Sequence, residues 1–294
     1  MTTRIVFFPF DLFGSGGAAA GVELLAEAIE EMLDDNRRER LPTRARAYQK
    51  HVRTHTFSFD KLSDYQEWKQ QAKQVIRQAI QKKEFLFWVT GNHLGVLPVY
   101  EELGARGQES EIRSQGSGAR RQEAGGTLII QFDAHLDVYN LSDCKSELSH
   151  GNFLLHSSEP LPTLLNVGAR ELLLQPEYVR KYYREVFPAA ELAVNPQAAE
   201  EKIHQSVAQA GRVFIDIDCD VLDAAYFPAV THPLPFGLPP TLLLRLLDAA
   251  WSDRVIGVAF SEFDPGRDRN DQSLATLIWL MEYLLLKKYE PEAS

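Results

Sequence analysis

The sequence predicts an α/β fold with a mainly parallel central sheet. Short apolar runs typical of buried strands alternate with amphipathic runs typical of helices along almost all of the 294 residues. Hydrophobic residues make up 45% of the chain, which is enough for a large core. No internal repeat is present, so one domain spanning 1–294 is the most economical interpretation.

The individual elements follow from residue type and period. Runs rich in β-branched and aromatic residues predict strands over 4–8, 85–90, 127–130, 161–167, 213–218 and 255–260. Apolar residues at helical spacing predict helices over 21–33, 63–81, 94–103, 176–186, 199–209, 239–250 and 272–288.

Two segments between these elements stand out. Residues 105–126 are rich in Gly, Ser, Glu, Arg and Gln and have few apolar positions, which predicts an exposed, mobile insertion. The turn at 11–17 contains Gly14, Gly16 and Gly17, but no Lys-Ser/Thr pair follows, which excludes a P-loop. We expect this turn to pack closely over a site or over neighbouring backbone.

Charge and composition exclude several classes of function. The net charge is −10 and no large basic block occurs, so nucleic acid is not an expected partner. No apolar run reaches 18 residues, and the short first strand does not resemble a signal peptide. Cys144 and Cys219 form no disulfide framework, which favours a reducing cytoplasm. An acidic protein attracts cationic small substrates.

The segment after the strand at 127–130 carries Asp133, His135 and Asp137 at every second residue. If the chain stays extended there, all three side chains point to one face. Buried charges are rare unless they are paired or bound to a metal. This spacing therefore predicts a metal site.

Other strand ends carry partners for this segment. They are His93, the acidic run at 216–223 and the Ser-Glu-Phe-Asp-Pro segment at 261–265. Carboxyl ends of parallel strands share one edge of a sheet, where ligands bind. A mixed carboxylate and imidazole set suits Mn²⁺, and the excess of carboxylates suggests two ions, which together can deprotonate one water.

Four ordered motifs resemble those of the ureohydrolase superfamily of arginase, agmatinase and formimidoylglutamase. They are Gly91-Asn92-His93, Asp133-Ala134-His135-Leu136-Asp137, Asp218-Cys219-Asp220-Val221-Leu222-Asp223 and Glu262-Phe263-Asp264-Pro265. A His150-Gly151 pair, seventeen residues after Asp133, matches the family's His-Gly. The resemblance covers nearly the whole chain and implies a three-layer α/β/α sandwich.

The resemblance also implies roles for single residues. His93, Asp133, Asp137 and Asp218 would hold one Mn²⁺, and Asp133, His135, Asp218 and Asp220 the other. Glu262 would bind the substrate guanidinium and His150 would transfer a proton, with Asp137 also placed in the catalytic set. The register could instead make Asp216 and Asp218 the ligand pair; we prefer Asp218 and Asp220, because Asp223 then matches the third aspartate of the motif.

Departures from the family pattern bear on the substrate. Arginases place an acidic residue for the substrate α-amino group where Leu173 falls, and an Asn for the α-carboxylate where Tyr139 stands. Ser146 fits a substrate-binding serine of the family. These differences favour a guanidino compound without a free amino acid end, such as an arginine within a peptide, which would become ornithine with release of urea.

Alternatives remain open at this stage. Within the superfamily, the substrate could be free arginine or agmatine. A metallophosphoesterase also uses Gly-Asn-His and Asp-x-His motifs, but in the reverse order, and a related deacetylase usually has Asp-x-His-His and one zinc. A non-catalytic metal-binding regulator is a further alternative, which Glu262 and His150 disfavour. We expect a cytoplasmic protein without a membrane partner, and the sequence is compatible with a homo-oligomer.

Overall fold

The computed structural model describes residues 1–14, 16–59, 65–105, 126–142 and 147–290. Its strands are β1 Thr3–Phe8, β2 Val52–Thr56, β3 Phe85–Thr90, β4 Thr127–Phe132, β5 Thr163–Val167, β6 Tyr183–Phe187, β7 Arg212–Asp218 and β8 Val255–Ser261. Its α-helices are α1 Ala18–Arg38, α2 Tyr65–Gln81, α3 97–105, α4 Pro176–Val179, α5 Ala189–Val194, α6 Pro196–Gln209, α7 Pro240–Ala250 and α8 Gln272–Tyr289.

The eight strands form one parallel sheet in the order β2-β1-β3-β8-β7-β4-β5-β6. Apolar clusters cover both of its faces. One cluster contains Leu25 of α1, Ile203 of α6 and Leu280 of α8, and the other contains Ile76 of α2 and Val99 of α3. The predicted α/β architecture, with helices on both sides of a parallel sheet, is confirmed.

The two edge strands differ from the sequence prediction. We predicted a helix over 176–186, but only Pro176–Val179 is helical, and Tyr183–Phe187 pairs with β5 as a strand. The residues Tyr183, Val186 and Phe187 favour a strand once a partner is available. β2 was missed because its sequence, Val-Arg-Thr-His-Thr, is polar, and it is paired only with β1.

The remaining predicted strands and helices occur where expected, with ends that differ by a few residues. The predicted mobile insertion at 105–126 lies, except for its first and last residues, outside the described part of the chain. Among the described helices, none combines the length and apolar character that a membrane crossing needs.

Candidate metal centre

The site lies at the carboxyl ends of four neighbouring strands, β3, β8, β7 and β4. His93 follows β3, Asp133 follows β4, Asp218 ends β7 and Glu262 follows β8. Each strand is an apolar run that ends in a polar side chain, so the sheet itself brings distant residues together. The edge is the one at which open parallel sheets bind ligands.

One group of metal-capable side chains surrounds His93. Its Nδ1 atom lies 2.7 Å from Asp137 Oδ2, 3.2 Å from Asp133 Oδ2 and 3.3 Å from Asp218 Oδ2. All four side chains are buried. An imidazole nitrogen facing three carboxylates matches the ligand chemistry of a divalent cation.

A second group surrounds His135 and shares Asp133 with the first. Nδ1 of His135 lies 2.8 Å from Asp220 Oδ2 and 3.9 Å from Asp133 Oδ1. In each group, one ligand atom from each of three residues lies within 4.8 Å of the others. Asp133 thus lies between two potential ion positions, one on the His93 side and one on the His135 side.

The backbone between Asp133 and Asp137 is not extended, contrary to the simple alternation we considered. β4 ends at Phe132, and the following residues turn until Asp137 adopts a left-handed conformation with φ 51°. A non-glycine residue is strained in that region, and such strain is concentrated at functional sites. The turn places His135 and Asp137 on opposite sides of Asp133.

Short local hydrogen bonds fix the carboxylates. The amide of His135 donates to Asp133 Oδ1 at 2.6 Å, and the amide of Asp220 donates to Asp218 Oδ1 at 2.9 Å. Asp220 Oδ1 accepts from the amide of Ala134 at 3.2 Å, which ties the β7 loop to the β4 loop. Asp133 Oδ2 also accepts from Gln131 Nε2 at 2.9 Å, so both oxygens of this carboxylate are held in place, and each keeps a further lone pair for a ligand.

The electrostatics of the cluster fit a bound pair of divalent cations. Burial, reinforced by the Asp137 carboxylate, raises the pKa of Asp133 to about 7, because several buried carboxylates cannot all ionise without compensation. His93 Nδ1 and Asp137 Oδ2 are buried atoms without a hydrogen-bond partner among the described residues, although they lie 2.7 Å apart. Two divalent ions would neutralise the four aspartates at 133, 137, 218 and 220.

Glu262 and His150 lie next to the metal-capable groups. Oε1 of Glu262 accepts the amide N–H of His93 at 3.0 Å and lies 3.2 Å from His150 Nδ1. Glu262 is held in a left-handed conformation with φ 63°. Burial lowers the pKa of His150, but the Glu262 carboxylate more than offsets this, and the net shift is upward.

A cavity of about 540 Å³ opens over these groups. Its lining comprises Phe13, Gly14, His93, His135, Asp137, Tyr139, Ser149, His150, Gly151, Asp218, Asp220, Val230, Thr231, His232 and Glu262. Gly14 belongs to the turn that the sequence predicts to pack closely over a site. A Cβ atom at Gly14 would lie 2.9 Å from Asn92 Nδ2 and 3.0 Å from the His150 ring. Among the described residues, no lysine or arginine lines the cavity.

The model of the arginase family matches residues 2–286 of the chain. The chain belongs to the arginase family.

Curated members of the arginase family match part of the chain. An N(1)-aminopropylagmatine ureohydrolase of Thermus thermophilus is 30% identical over 165 residues, which are 55% of each protein. A formimidoylglutamase of Klebsiella pneumoniae is 30% identical over 162 residues, 51% of each. The chain spans about half the length of the curated relatives it matches.

Solved structures share the fold over the full chain. The arginase of Bacillus subtilis superimposes with a TM-score of 0.74 at 19% identity, covering 97% of this chain and 98% of that one. The agmatine ureohydrolase of Thermoplasma volcanium gives a TM-score of 0.73 at 19% identity, covering 100% and 92%. At 19% sequence identity, this structural similarity establishes the arginase fold and nothing more about the chain.

The residues that the sequence analysis related to the substrate do not all line the cavity. Tyr139 lines the cavity, whereas Ser146 lies outside the described residues. Leu173 is 69% exposed and is not part of the cavity lining. Glu171, which the sequence analysis passed over, is hydrogen-bonded to Tyr139 and accepts the amide N–H of Leu173 at 2.5 Å.

His232 is the principal site residue that sequence reasoning missed in this arginase-family chain. Its ring centroid lies 5.5 Å from that of His150, and it lines the cavity. It belongs to a proline-rich loop between β7 and α7, without a motif of its own. The available signal was a histidine in a loop that follows a strand carrying predicted ligands, and loops of this kind commonly carry function.

Proposed function

We propose that the protein is a binuclear metal-dependent ureohydrolase, which cleaves a guanidino group into urea and an amine. The observation that carries this proposal is the pair of metal-capable groups sharing Asp133, placed directly beside Glu262 and His150. Membership of the arginase family supports the same reaction class. A cytoplasmic location accords with the presence of only two cysteines.

The ligand sets would be those implied by the motifs. His93, Asp133, Asp137 and Asp218 would hold one ion, and Asp133, His135, Asp218 and Asp220 would hold the other. Their oxygen-rich composition with one imidazole per ion favours Mn²⁺. Two such ions supply Lewis acidity that makes water a nucleophile at neutral pH.

Glu262 and His150 perform the remaining steps. The Glu262 carboxylate pairs with the planar guanidinium and orients its carbon toward the ligand cluster. Water loses one proton to solvent as its oxygen adds to that carbon. The resulting hydroxyl then loses its second proton to solvent and becomes the carbonyl of urea, while the bond from carbon to the substituted nitrogen breaks and the leaving nitrogen takes a proton from His150. The products are urea and a primary amine, and His150 regains its proton from solvent through the open cavity.

The lining of the cavity favours a substrate without a free α-carboxylate. Its ionisable residues are aspartates, a glutamate, a tyrosine and histidines, and no lysine or arginine of the described chain faces it. A free amino acid would bring an unmatched carboxylate next to this acidic group. An arginine within a peptide, or a simple guanidino amine such as agmatine, avoids that cost. Leu173 offers no charge to an α-amino group, and the Glu171 carboxylate is already bonded to Tyr139.

Urea release across a matched panel tests the proposal. The Mn²⁺-loaded protein is incubated with free arginine, with an arginine blocked at both ends as a dipeptide-like amide, with agmatine, with guanidinobutyrate and with longer arginine-containing peptides. We expect turnover of the blocked arginine, the peptides or the carboxylate-free amine to exceed that of free arginine at least tenfold.

Three results would contradict parts of this proposal. Efficient turnover of free arginine alone would refute the substrate assignment and leave an arginase. Hydrolysis of a phosphate ester without any urea release would revive the metallophosphoesterase, and tight metal binding without turnover of any compound would favour a non-catalytic regulator.

A further inference from the structure

We propose that Asp216 and Tyr100 are positioning residues for His93, and that they hold its imidazole from the side opposite the metal-capable group. The inference rests on the metal site of the proposed function. It assigns a role to a carboxylate that the sequence left as a competing ligand.

The imidazole of His93 lies between two aspartates of the same strand. Asp216 and Asp218 are two residues apart on β7, so their side chains share one face of the sheet. Asp216 Oδ2 lies 2.9 Å from His93 Nε2, whereas Asp218 Oδ2 lies 3.3 Å from Nδ1. Asp216 therefore lies at the Nε2 side of the ring, and Asp218 lies at the Nδ1 side.

The contacts of Asp216 determine which nitrogen of His93 carries hydrogen. A carboxylate only accepts, so the 2.9 Å contact requires the hydrogen on Nε2. With an ion bound, the Nδ1 lone pair would then be the one that points toward the ion held by Asp133 and Asp137. A histidine that binds a metal through one nitrogen usually donates its other N–H to a carboxylate or carbonyl, which fixes the ring and strengthens the ligand.

Tyr100 fixes Asp216 in turn. The hydroxyl of Tyr100, on α3, donates to Asp216 Oδ2 at 2.5 Å, and both residues are fully buried. The ring of Phe153 contacts His93 edge-on, with 5.2 Å between ring centroids. The imidazole is thus held by the Asp216 hydrogen bond at Nε2 and by packing against the Phe153 ring.

We expect the Asp216 carboxylate to add little to the stability of the fold. Its Oδ1 atom has no hydrogen-bond partner among the described residues, although the side chain is fully buried. An incompletely bonded buried carboxylate is costly. An asparagine has nearly the same shape and removes the charge, so we expect Asp216→Asn to leave thermal stability unchanged or higher while it weakens metal binding.

The test measures Mn²⁺ affinity and stability separately in Asp216→Asn and Tyr100→Phe. Tyr48→Phe is the matched control, because Tyr48 is equally buried and donates to Glu282 Oε1 at the same 2.5 Å, outside the site. Calorimetric titration should show one of the two Mn²⁺ ions weakened 10–100-fold in Asp216→Asn, a smaller loss in Tyr100→Phe and no loss in Tyr48→Phe.

An NMR measurement on the wild-type protein loaded with diamagnetic Zn²⁺ keeps the inference separate from the proposed reaction. Nitrogen-15 shifts of His93 should show hydrogen on Nε2 and none on Nδ1, and Asp216→Asn should shift the Nε2 signal. Unchanged Mn²⁺ affinity in Asp216→Asn, or an equal loss in Tyr48→Phe, would overturn the inference. Tight Mn²⁺ binding without urea release would contradict the reaction alone.

Discussion

Nδ1 of His150 lies 3.2 Å from Oε1 of Glu262, at the wall of the cavity that the metal-capable residues line. The same Glu262 oxygen accepts the backbone N–H of His93. One carboxylate thus contacts the proposed proton donor and the loop of a proposed metal ligand, and this arrangement leads to two predictions.

The first concerns proton transfer by His150. His150→Asn keeps a polar side chain but removes the titratable group, so kcat should fall by about 10²–10⁴-fold. Metal content should stay near two ions per chain, because His150 belongs to neither ligand group. Urea assays and elemental analysis measure both quantities. His204→Asn, at an exposed position of α6, is the control and should retain full activity. Normal turnover in His150→Asn would remove this residue from the mechanism.

The second concerns the pKa of His150. Burial lowers this pKa, but the Glu262 carboxylate reverses the shift, so the net pKa is raised. Glu262→Gln removes the charge and should lower the pKa, which NMR titration of the metal-free protein would measure. A pKa that is unchanged or higher in the variant would contradict this account. Since His150 donates a proton, the rate should fall as pH rises through its pKa.

The shared position of Asp133 predicts a pattern of metal loss. Asp133 belongs to both candidate groups, whereas His93 and His135 each belong to one. After dialysis against limiting chelator, His93→Ala and His135→Ala should each retain about one Mn²⁺, and Asp133→Ala should retain none. Elemental analysis of the three variants and the wild type decides this. Two ions retained by Asp133→Ala would show that it is not a bridge.

A buried ion cluster away from the site predicts a pH-dependent stability. Lys69 and Lys73 lie 2.7 and 2.8 Å from the carboxylate of Glu101, and all three side chains are buried. Burial raises the pKa of Glu101, but hydrogen bonds from both lysines more than offset this, so the net pKa is below 4.5. The contribution to stability is therefore present above about pH 4.5 and is lost as pH falls through the lowered value.

Glu101→Gln tests this cluster. It leaves two buried ammonium groups without their partner, so we expect a loss of about 3 kcal/mol in the free energy of unfolding at pH 7. The difference from wild type should shrink at pH 3, where Glu101 is protonated in the unfolded chain. Urea denaturation at both pH values measures this difference. Glu177→Gln, which removes one partner of the exposed ion pair with Arg180, is the control. An equal difference in the free energy of unfolding at both pH values would contradict this account of the pH dependence.

The buried strands could be predicted from sequence because each is a continuous apolar run. β3 and β8 show this pattern clearly, and β7 shows it over 213–215; the ends of all three strands differ from the prediction by at most one residue. β2 and β6 could not be predicted, since edge strands are paired on one side and tolerate polar residues. Their conformation depends on the neighbouring strand more than on their own composition.

The candidate ligands could be predicted because metal chemistry restricts both residue type and spacing. The direction of each side chain could not. Asp137 reaches His93 only through a left-handed backbone conformation, and the sequence does not mark this position with a glycine. Asp216 was ambiguous for a similar reason, because its partners Tyr100 and His93 come from other elements of the fold.

The position of β8 has a consequence for how the protein is made. This strand is the last of the sheet in the sequence, yet it lies between β3 and β7, with Glu262 at its end. A growing chain that ends before residue 255 has all the candidate metal ligands but lacks the strand that joins β3 to β7. His93 and Asp218 therefore come together in the native sheet only after residues 255–261 have been added, and a metal site that needs both side chains would form only then.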